Sequence, residues 1–550
     1  MLTIYFVTRE FIMKFRLFLP VMMILVFTGC FKSEEKKNKS TYGLYYKPSW
    51  TVCLDKESPK VSNEYDAIIV GSGVGGLTCG AMLAKRGYKV LILEQYERVG
   101  GYCCTFEREG FEFNAGVKEV RGFGQNGPMT YLLREIGLDK DKLFVPTTRK
   151  FVIRGKEIDL PNSGKDLLAT LAKAFPSEEK DIYAFFEDSR KAYEEMFGDE
   201  CQMYGIPVSY KWMPMDVVKE VFAIEGKHDW KKIKAHYRDW QKKSLEDKMR
   251  EYFENQDLEL IIECLLGYVG MRTDDSMAST SLSACVAHLR DGGYYPKGGV
   301  RSFIDAMSDY IKNHGGRILL QHQADEIMVK DGRVLGVRSG ENEFRSSVVV
   351  GNANARRVMR TLVHKDHLSD NYLWSLYHLE MSRSAACVHL GINMDLSEYP
   401  IIYRDTNMDI ELVIHSNADP TMAPKGMSSV SVYKKSTYDY CPDWGTKDYI
   451  VYKDKKRRET LDRLERIIPG ISEKVVATNI STARTFKRYT GMHKGAAMGF
   501  EESMILKRPY YKTPIKGLYL ASSTTLFGGG VDSVVMTGLT CAHDICGWKR

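Results

Sequence analysis

The chain has 550 residues, more than one ordinary core of about 100 to 200 residues absorbs, so two or three domains are predicted. Hydrophobic residues at 44% and charged residues at 27% are average for globular proteins, and the 46 glycines and 17 prolines follow no period. This composition excludes a disordered, collagen-like or coiled-coil chain. A formal charge of +7 on this length is too weak to indicate a nucleic-acid partner.

The N-terminus has the layout of a secretory signal. Lys14 and Arg16 precede an apolar stretch at 17–27, which is shorter than the roughly 20 residues that a membrane-spanning helix needs. Small residues and then Cys30 follow it, as in the lipobox of bacterial lipoproteins. The sequence therefore predicts a lipid anchor at Cys30, outside the bacterial cytoplasm, and contact with a membrane surface. A single uncleaved N-terminal membrane anchor and a soluble cytoplasmic protein are the alternatives.

A dinucleotide-binding unit opens the folded part of the chain. An apolar run of strand length at 66–70 precedes a helical pattern that extends to Arg86, and between them lies the motif Gly71-Ser72-Gly73-Val74-Gly75-Gly76. Gly71 permits the tight turn, Gly73 lets the backbone approach a pyrophosphate, and Gly76 lets the helix close on the strand. The N-terminus of the helix then faces the phosphates with its unpaired N–H groups.

The next predicted strand supplies an acid for a ribose. It spans 89–93 and is followed by Glu94, whose carboxylate can accept hydrogen bonds from the diol of an unphosphorylated ribose. Gly100 and Gly101 come shortly afterwards, and a late turn contains Ser523, Thr524, Gly530 and Val531. FAD is longer than NAD and needs walls beyond the first strand–helix–strand unit, so these residues favour FAD. The last helix, predicted at 532–546, would direct its positive N-terminus at the flavin ring.

Four blocks of the sequence carry patterns specific to one family, and they lie at 66–116, 295–329, 488–499 and 528–538. They resemble the FAD-dependent amine-oxidase-like superfamily, and within it the branch of phytoene desaturases, carotenoid isomerases and retinol saturases. The resemblance implies FAD as the cofactor, with Gln95 and Ala324 added to its site. It also implies an α/β fold in which a Rossmann-like FAD-binding domain of the glutathione-reductase type is assembled from separated segments, with an inserted α+β substrate domain.

The positions of these blocks predict the order of the domains. Because the blocks are far apart in the chain, FAD-binding segments are expected to alternate with segments of the substrate domain. A signal segment and a tether come first, then the two kinds of segment in alternation: 1–30, 31–62, 63–125, 126–289, 290–360, 361–484 and 485–550. Within the second FAD-binding segment, Asp331-Gly332 predicts the turn of a tight hairpin.

The resemblance implies hydride exchange between a substrate carbon and flavin N5, with a proton moving at the neighbouring carbon. The candidate proton handlers are Lys118, Glu119 and Asp532. The alternative roles are an exposed or paired charge at Lys118, with Glu119 as its partner, and a helix N-cap at Asp532. Lys118 stands where relatives in this branch have histidine. The histidines of the chain show no metal-ligand spacing, so no metal site is predicted.

The predicted function is that of a FAD-dependent oxidoreductase. It would saturate, desaturate or isomerise carbon–carbon double bonds of an apolar lipid substrate of the isoprenoid, carotenoid or retinoid type. An apolar tunnel would bind such a lipid, at about 25 cal/mol per Å² of apolar surface buried. An electron donor or acceptor of unknown identity is implied as a partner. The alternatives are a flavin amine oxidase and a lipid-binding protein that keeps FAD as a structural element.

Two further patterns concern a helix surface and the thiols. An aromatic stripe at helical spacing beside a basic face fits either a helix that packs on its own domain or an interfacial membrane helix; its members are Trp230, Ile233, Tyr237 and Trp240. The 12 cysteines contain no CxxC pair. They are predicted to be free and mainly buried rather than joined in a disulfide framework.

Overall fold

A computed structural model of the protein describes residues 63–124, 127–162, 164–197, 202–203, 206–207, 235–266, 277–290, 292–501, 508–525 and 527–547. The predicted signal segment, the tether and the Cys30 anchor lie outside these residues. So do Trp230 and Ile233 of the aromatic stripe.

A five-stranded parallel sheet carries the predicted dinucleotide-binding unit. Its strands lie in the spatial order Arg317–Leu319, Val90–Leu93, Ala67–Val70, Val349–Gly351 and Leu518–Leu520. All four pairings are parallel. Every residue of the two strands at 67–70 and 90–93 is buried, which explains why both are continuous apolar runs. The predicted α/β class, with a Rossmann-like sheet assembled from separated segments, is confirmed.

Helices pack on the parallel sheet and share one apolar core with it. The first helix (Val74–Lys85) contacts the last helix (Val531–Ile545) and the helix Val300–Asn313, and Pro128–Glu135 packs on the last helix. The last helix begins and ends one residue earlier than predicted. A Cβ on Gly538 would lie 2.5 Å from Gly75 O, so glycine permits the close approach of the first and last helices.

A three-stranded antiparallel sheet comes after the strand Arg317–Leu319 in the chain. Its strands are Glu326–Lys330, Arg333–Ser339 and Asn342–Arg345. Asp331 and Gly332 connect the first two with φ values of +50° and +70°. Positive φ at both central residues is the signature of a type I′ turn. The predicted tight hairpin is confirmed.

A seven-stranded sheet forms the main layer of the second half of the fold. Its spatial order is Val475–Ser481, Ser384–Ile392, Ser428–Ser436, Ile410–Ile414, Ile402–Asp405, Arg149–Ile153 and Lys156–Leu160. The strand Ile402–Asp405 pairs in parallel with Arg149–Ile153, and the other five pairings are antiparallel. Strands from before and after the middle of the chain thus meet in one sheet.

A helical layer packs around its own apolar cluster, and its helices are Gly164–Ala174, Glu179–Phe197, Ala235–Lys242, Leu245–Arg250, Gln256–Leu266 and Leu282–Arg290. Tyr237 and Trp240 are 2% and 0% exposed within this cluster. The Trp240 indole N–H donates to Asp188 at 2.8 Å. The described half of the aromatic stripe therefore packs on its own domain, and the interfacial membrane role is wrong for these two residues.

Shorter elements connect these layers. Three antiparallel strand pairs are Thr105–Arg108 with Phe111–Asn114, Phe144–Pro146 with Tyr294–Pro296, and Gln202–Met203 with Ile206–Pro207. The remaining α-helices are Lys140–Leu143, Ala355–Arg357, Asp370–His378, His415–Ala418, Lys447–Ile467 and Ala483–Thr490. Among the helices that the structure describes, none is both long and apolar enough to span a bilayer. The nine cysteines in the described ranges are all free, as predicted.

Candidate functional site

The glycine turn between the first strand and the first helix builds one wall of the site. Gly71 has φ +99°, a conformation that residues with a side chain rarely adopt, and its N–H donates to Leu93 O at 2.8 Å. Gly73 is the N-cap of the first helix. Among the described residues no side chain caps this helix end, and its first turn contains no acid. The exposed N–H groups and the positive end of the helix dipole are left for an anion such as a pyrophosphate.

Glycine is needed in this turn for two different reasons. A Cβ on Gly75 would lie 2.0 Å from Ala521 O, and one on Gly76 would lie 2.5 Å from Gly71 O. These two residues let the first helix pack against neighbouring backbone. Gly101 has φ +60°, and a Cβ on it would meet Gly73 Cα at 3.7 Å, an ordinary van der Waals contact, so glycine is favoured there for its backbone conformation. Gly73 and Gly101 both line the cavity in which the phosphates of a dinucleotide would lie.

Glu94, the acid that was predicted to bind a ribose, is held by three hydrogen bonds that the sequence motifs did not indicate. Its Oε2 accepts from the backbone N–H and the hydroxyl of Ser72, at 2.9 and 2.6 Å. Its Oε1 accepts from Tyr96 N–H at 3.0 Å. A carboxylate has about four acceptor positions, so about one remains for a ribose hydroxyl. Ser72 therefore orients Glu94 rather than offering its own hydroxyl to a ligand.

A cavity with about 290 Å³ of room for water-sized molecules connects the glycine turn with the seven-stranded sheet. Among the predicted site residues, its lining contains Gly71, Ser72, Gly73, Glu94, Gln95, Gly100, Gly101, Lys118, Glu119, Ala324, Ser523, Gly530 and Val531. The predicted site residues that lie outside the described lining are Gly75, Gly76, Thr524 and Asp532. Gly75 and Gly76 act through helix packing.

Thr524, which was predicted to bind the cofactor, supports the late turn from behind, and Asn352, which was not predicted, lines the cavity. Thr524 is buried, accepts from Ala355 N–H at 2.9 Å and shares a hydrogen bond with Ser522, so it holds the late turn in place. Asn352 was missed, although it lines the cavity and donates from Nδ2 to Gly71 O at 3.1 Å. Its signal was its position directly after the buried strand Val349–Gly351, because ligands bind at the carboxyl ends of parallel strands.

Lys118 and Glu119 each form an ion pair in the wall of the cavity. Lys118 Nζ is 2.5 Å from Glu411 Oε1, and Glu119 pairs with Arg149. The alternative role predicted for them, an ion pair with each other, is therefore wrong. The two adjacent side chains reach different strands of the seven-stranded sheet, because Glu411 lies on Ile410–Ile414 and Arg149 on Arg149–Ile153.

Electrostatics keep the Glu119 carboxylate ionised. Burial would raise its pKa, but the positive charges of Arg149 and Arg121 outweigh that effect and lower the pKa to about 2. A carboxyl group with this pKa has no proton to donate near neutral pH, and it is a weak base. The pKa therefore does not suit the proton-handling role, and it suits a fixed hydrogen-bond acceptor.

Asp532 lies outside the described cavity lining, in the first turn of the last helix. Gly530 is the N-cap of the last helix and Asp532 is its second residue, so the predicted N-cap is wrong. A Cβ on Gly122 would lie 3.0 Å from Asp532 Cβ, so Asp532 packs against the loop that contains Arg121. Burial lowers the pKa of the Arg121 guanidinium, and the charges of Asp532 and Glu119 oppose that shift. Asp532 therefore places a negative charge in the neighbourhood of buried Arg121.

We expect Asp532→Asn to lower the free energy of unfolding by about 2 kcal/mol while the folded protein keeps its flavin. Removing the Asp532 charge leaves buried Arg121 with less negative charge nearby, so the cost lies below the about 3 to 5 kcal/mol of breaking a buried ion pair. Chemical denaturation measures the loss. Asp309→Asn, on an exposed helix face, is the control and should change stability by less than about 0.5 kcal/mol. If the Asp532→Asn variant is as stable as wild type but its flavin is reduced tenfold more slowly, Asp532 takes part in proton transfer instead.

The cavity-lining backbone at Gly73 and Gly101, the helix N-terminus and the remaining acceptor position of Glu94 suit the phosphates and the ribose of FAD. Gly530, the N-cap of the last helix, has φ +109° and lines the same cavity, so a second helix N-terminus lies at this site. Fold and site together define a Rossmann-type flavin dinucleotide-binding protein.

Comparison with known proteins gives the family. The profile of the family described as flavin containing amine oxidoreductase matches residues 74–546. The chain belongs to this family, and its cofactor is FAD. The resemblance deduced from the four sequence blocks is confirmed, including the carotenoid and retinol branch.

Three relatives illustrate that branch. The chain is 25% identical over 513 residues to a chloroplastic prolycopene isomerase of Daucus carota, covering 88% of this chain and 80% of that protein. It is 25% identical over 540 residues to an all-trans-retinol 13,14-reductase of Danio rerio, covering 88% and 86%. It is 26% identical over 525 residues to a neurosporene-forming phytoene desaturase of Rhodobacter capsulatus, covering 87% and 93%.

Solved structures share the fold at lower identity. An oxidoreductase from Methanosarcina mazei superposes with a TM-score of 0.60 at 15% identity, covering 86% of this chain and 99% of that one. A putrescine oxidase bound to putrescine superposes with a TM-score of 0.61 at 14% identity, covering 88% and 99%. These similarities extend over almost the whole of both neighbours, and they establish the fold.

Proposed function

We propose that the protein is a FAD-dependent oxidoreductase that acts on carbon–carbon double bonds of an isoprenoid lipid. The observation that carries the proposal is that the cavity at the glycine turn also has an apolar lining from the substrate side. That lining includes Leu265, Ala385, Cys387, Phe486, Met492 and Met498. The proposal is supported by relatives named for prolycopene, retinol and phytoene.

Bound FAD would supply hydride exchange at its N5. The residues of the chain prepare the site for it. The glycine turn and the first helix bind phosphates, Glu94 orients the ribose, and the apolar walls exclude water from a hydrocarbon chain. At Gly530 the last helix contributes the positive end of its dipole, which stabilises negative charge nearby.

An anaerobic spectral titration of the purified flavoprotein tests the proposal. Isoprenoid polyenes are added to the oxidised and to the chemically reduced protein, and the visible flavin absorption band is followed. We expect a lipid to bleach or restore the band, because electrons pass between the flavin and the double bond. Simple amines provide the comparison, with peroxide release recorded in an oxygen electrode.

Each alternative function gives a different result in this experiment. A flavin amine oxidase would be reduced by an amine and would release peroxide in air. A lipid-binding protein with a structural flavin would show a shift of the band on lipid binding but no change of its redox state. The amine-oxidase result would contradict the proposed activity on carbon–carbon double bonds, and so would an unchanged redox state together with recovery of lipid whose double bonds have kept their number and geometry.

We also propose that the protein is held at a membrane surface by an acylated Cys30, which supports access to a lipid substrate. The support is the order of the N-terminal sequence, in which two basic residues, an apolar stretch and small residues precede Cys30. A lipid anchor of this kind leaves the folded part of the chain outside the bilayer, as the lipid-bearing residue is joined to it through a polar tether.

Cys30→Ser is expected to release the protein from the membrane fraction and to abolish incorporation of labelled palmitate, because serine cannot form the thioether that carries the lipid. Fractionation and mass spectrometry of the expressed full chain measure both effects. Cys53→Ser is the matched control, since Cys53 lies in the same tether without the small residues before it. An unchanged mass and membrane fraction in Cys30→Ser would indicate an uncleaved N-terminal anchor instead.

A further inference from the structure

The helix Asp370–His378 presents two large aromatic side chains to the solvent. Trp374 and Tyr377 are 56% and 62% exposed, and because they stand three residues apart they lie on one face of the helix. Leu376, on another face, is 1% exposed and fixes the helix to the interior. Exposed apolar side chains grouped in this way mark surfaces that bind a membrane or another protein.

Arg356 holds this helix in place from behind. Its guanidinium donates to Leu376 O at 2.8 Å, to Tyr377 O at 2.9 Å and also to Leu379 O. These carbonyl groups lie at the C-terminal end of the helix, where the helix itself supplies no partner for them. The aromatic pair is therefore carried by a fixed helix, so little ordering is needed when a surface binds.

Cations flank the aromatic pair. The guanidinium of Arg360 lies over the Tyr377 ring, 5.6 Å from its centre, and the side chains of Arg360 and Lys365 are exposed. The segment 355–378 contains four Arg and Lys residues against two Asp residues. Tryptophan and tyrosine are enriched at the headgroup level of bilayers, and basic side chains are attracted to anionic headgroups. Both features of this face therefore complement an anionic lipid surface.

The same face adjoins the cavity. Arg357 and Leu362 both belong to the cavity lining, and Arg360, which lies between them in the chain, reaches the Tyr377 ring. The residues Val358–Leu362 form a π-helical turn, an irregularity that is frequent at functional sites. One short stretch of chain thus connects the proposed lipid-binding cavity with the exposed aromatic pair. This proximity favours a bilayer over a protein as the partner, because an apolar isoprenoid dissolves in a bilayer and not in water.

We propose that Trp374, Tyr377 and Arg360 form a docking surface for a bilayer that contains anionic lipids, and that the lipid substrate enters the cavity from this surface. The two aromatic rings lie at the level of the headgroups in the docked state, and Arg360 pairs with a lipid phosphate. The entry of the substrate rests on the proposed function, whereas the contact with the bilayer does not.

Quenching of tryptophan fluorescence by brominated lipids tests the docking surface. The full-length holoprotein is mixed with vesicles of phosphatidylcholine and phosphatidylglycerol, with or without bromine on the acyl chains close to the headgroups. We expect brominated vesicles to quench the wild type, and Trp374→Phe to lose at least about a third of that quenching, because bromine quenches only indole rings that reach the membrane.

Trp444→Phe is the matched control. Trp444 is also exposed, at 41%, but it packs beside Tyr449 and lies outside the docking surface. This variant should be quenched as strongly as the wild type. Equal quenching of the wild type and of Trp374→Phe, or no quenching of the wild type, would overturn the docking surface. That result is expected if a second copy of the chain or another protein covers this face.

Delivery of the substrate tests its entry from the bilayer. An isoprenoid polyene is supplied to the anaerobic holoprotein either in vesicles or as a complex with cyclodextrin, and the flavin spectrum is followed. A variant that combines Trp374→Ser with Tyr377→Ser should react at least about fivefold more slowly with vesicles, and should stay within about twofold of wild type with cyclodextrin. An unchanged rate with vesicles, or equal slowing in both forms of delivery, would overturn entry from this surface.

The two measurements separate this inference from the function on which part of it rests. If the polyene leaves the flavin and its own double bonds unchanged in both forms of delivery, the proposed function and the entry of the substrate are overturned, while the quenching still decides the docking surface. If the polyene reacts but Trp374 is not quenched, the proposed function stands and the docking surface is overturned.

Discussion

Gly76→Val is expected to yield protein without bound flavin. The first new carbon would lie 2.5 Å from Gly71 O and 2.8 Å from Asn352 Nδ2, and valine adds two further methyl groups. Gly71 O belongs to the turn itself, so relief of the clash moves the phosphate-binding loop. Overpacking of this kind costs about 1 to 3 kcal/mol, and backbone contacts lie at the upper end. The ratio of visible to ultraviolet absorbance after purification measures the flavin content.

Two companion variants show what a different result would mean. Lys85→Val places the same side chain at the exposed end of the same helix and should keep its flavin. Gly73→Ala introduces a Cβ 2.8 Å from the Asn352 side-chain amide, which can rotate, so this variant should fold and bind FAD weakly. Full flavin occupancy in Gly76→Val would contradict the assignment of the turn.

The free energy of unfolding is expected to fall by roughly 8 kcal/mol between pH 7 and pH 5. Four histidines are at most 1% exposed: His288, His389, His415 and His543. Burial lowers the pKa of His288 and of His415 to about 3 and that of His543 to about 4. Burial and the neighbouring His415 hold the pKa of His389 well below its usual value. An unfolded histidine has a pKa near 6.5, so below that pH the unfolded chain binds more protons and stability is lost. At pH 5 each histidine contributes about 2 kcal/mol to the loss.

A hydrogen-bonded chain explains why two of these histidines are buried neutral. The Tyr295 hydroxyl lies 2.5 Å from His415 Nδ1, and His415 Nε2 lies 2.6 Å from Ser431 Oγ. Ser431 Oγ lies 2.7 Å from His389 Nδ1, and His389 Nε2 lies 3.2 Å from Ser481 Oγ. Each imidazole nitrogen therefore has a hydroxyl partner. Protonation of either ring would turn its acceptor nitrogen into a second N–H donor, which would then face one of these hydroxyl groups.

Urea denaturation at pH 7 and pH 5 measures the acid effect. Most paired carboxylates stay ionised between pH 7 and pH 5, so the change in stability over this interval comes from the histidines. His415→Gln should reduce the loss between the two pH values by about 2 kcal/mol, since one buried titrating group is gone. His314→Gln, at an exposed helix end, should leave the loss unchanged. A wild-type loss of less than about 1 kcal/mol would contradict the neutral, buried state.

The sequence predicted the cofactor half of the site because its signals are local. The turn from Gly71 to Gly76, the acid at Glu94 and the hairpin at Asp331-Gly332 each depend on residues within one strand–turn–helix or strand–turn–strand unit. The glycines, which have few alternatives at positive φ or at a close backbone approach, make such units recognisable. Their placement follows from steric rules that act over a few residues.

The substrate half depends on contacts that no local pattern specifies. Lys118 meets Glu411 across 293 positions of sequence, and Glu119 meets Arg149 because of the register of the seven-stranded sheet. The expected N-cap at Asp532 failed because Gly530, with φ +109°, can begin the last helix two residues earlier. Ion-pair partners and helix starts of this kind follow from tertiary packing, so the sequence named the residues without identifying their partners.

A single-turnover product analysis tests the central claim most directly. The anaerobic holoprotein is mixed with one equivalent of an isoprenoid polyene in its oxidised and in its reduced state, and the lipid is extracted for chromatography and mass spectrometry. We expect the number or the geometry of the carbon–carbon double bonds to change in one of the two states, in proportion to the flavin present. Recovery of unchanged lipid from both states, together with flavin reduction by a simple amine, would contradict the claim.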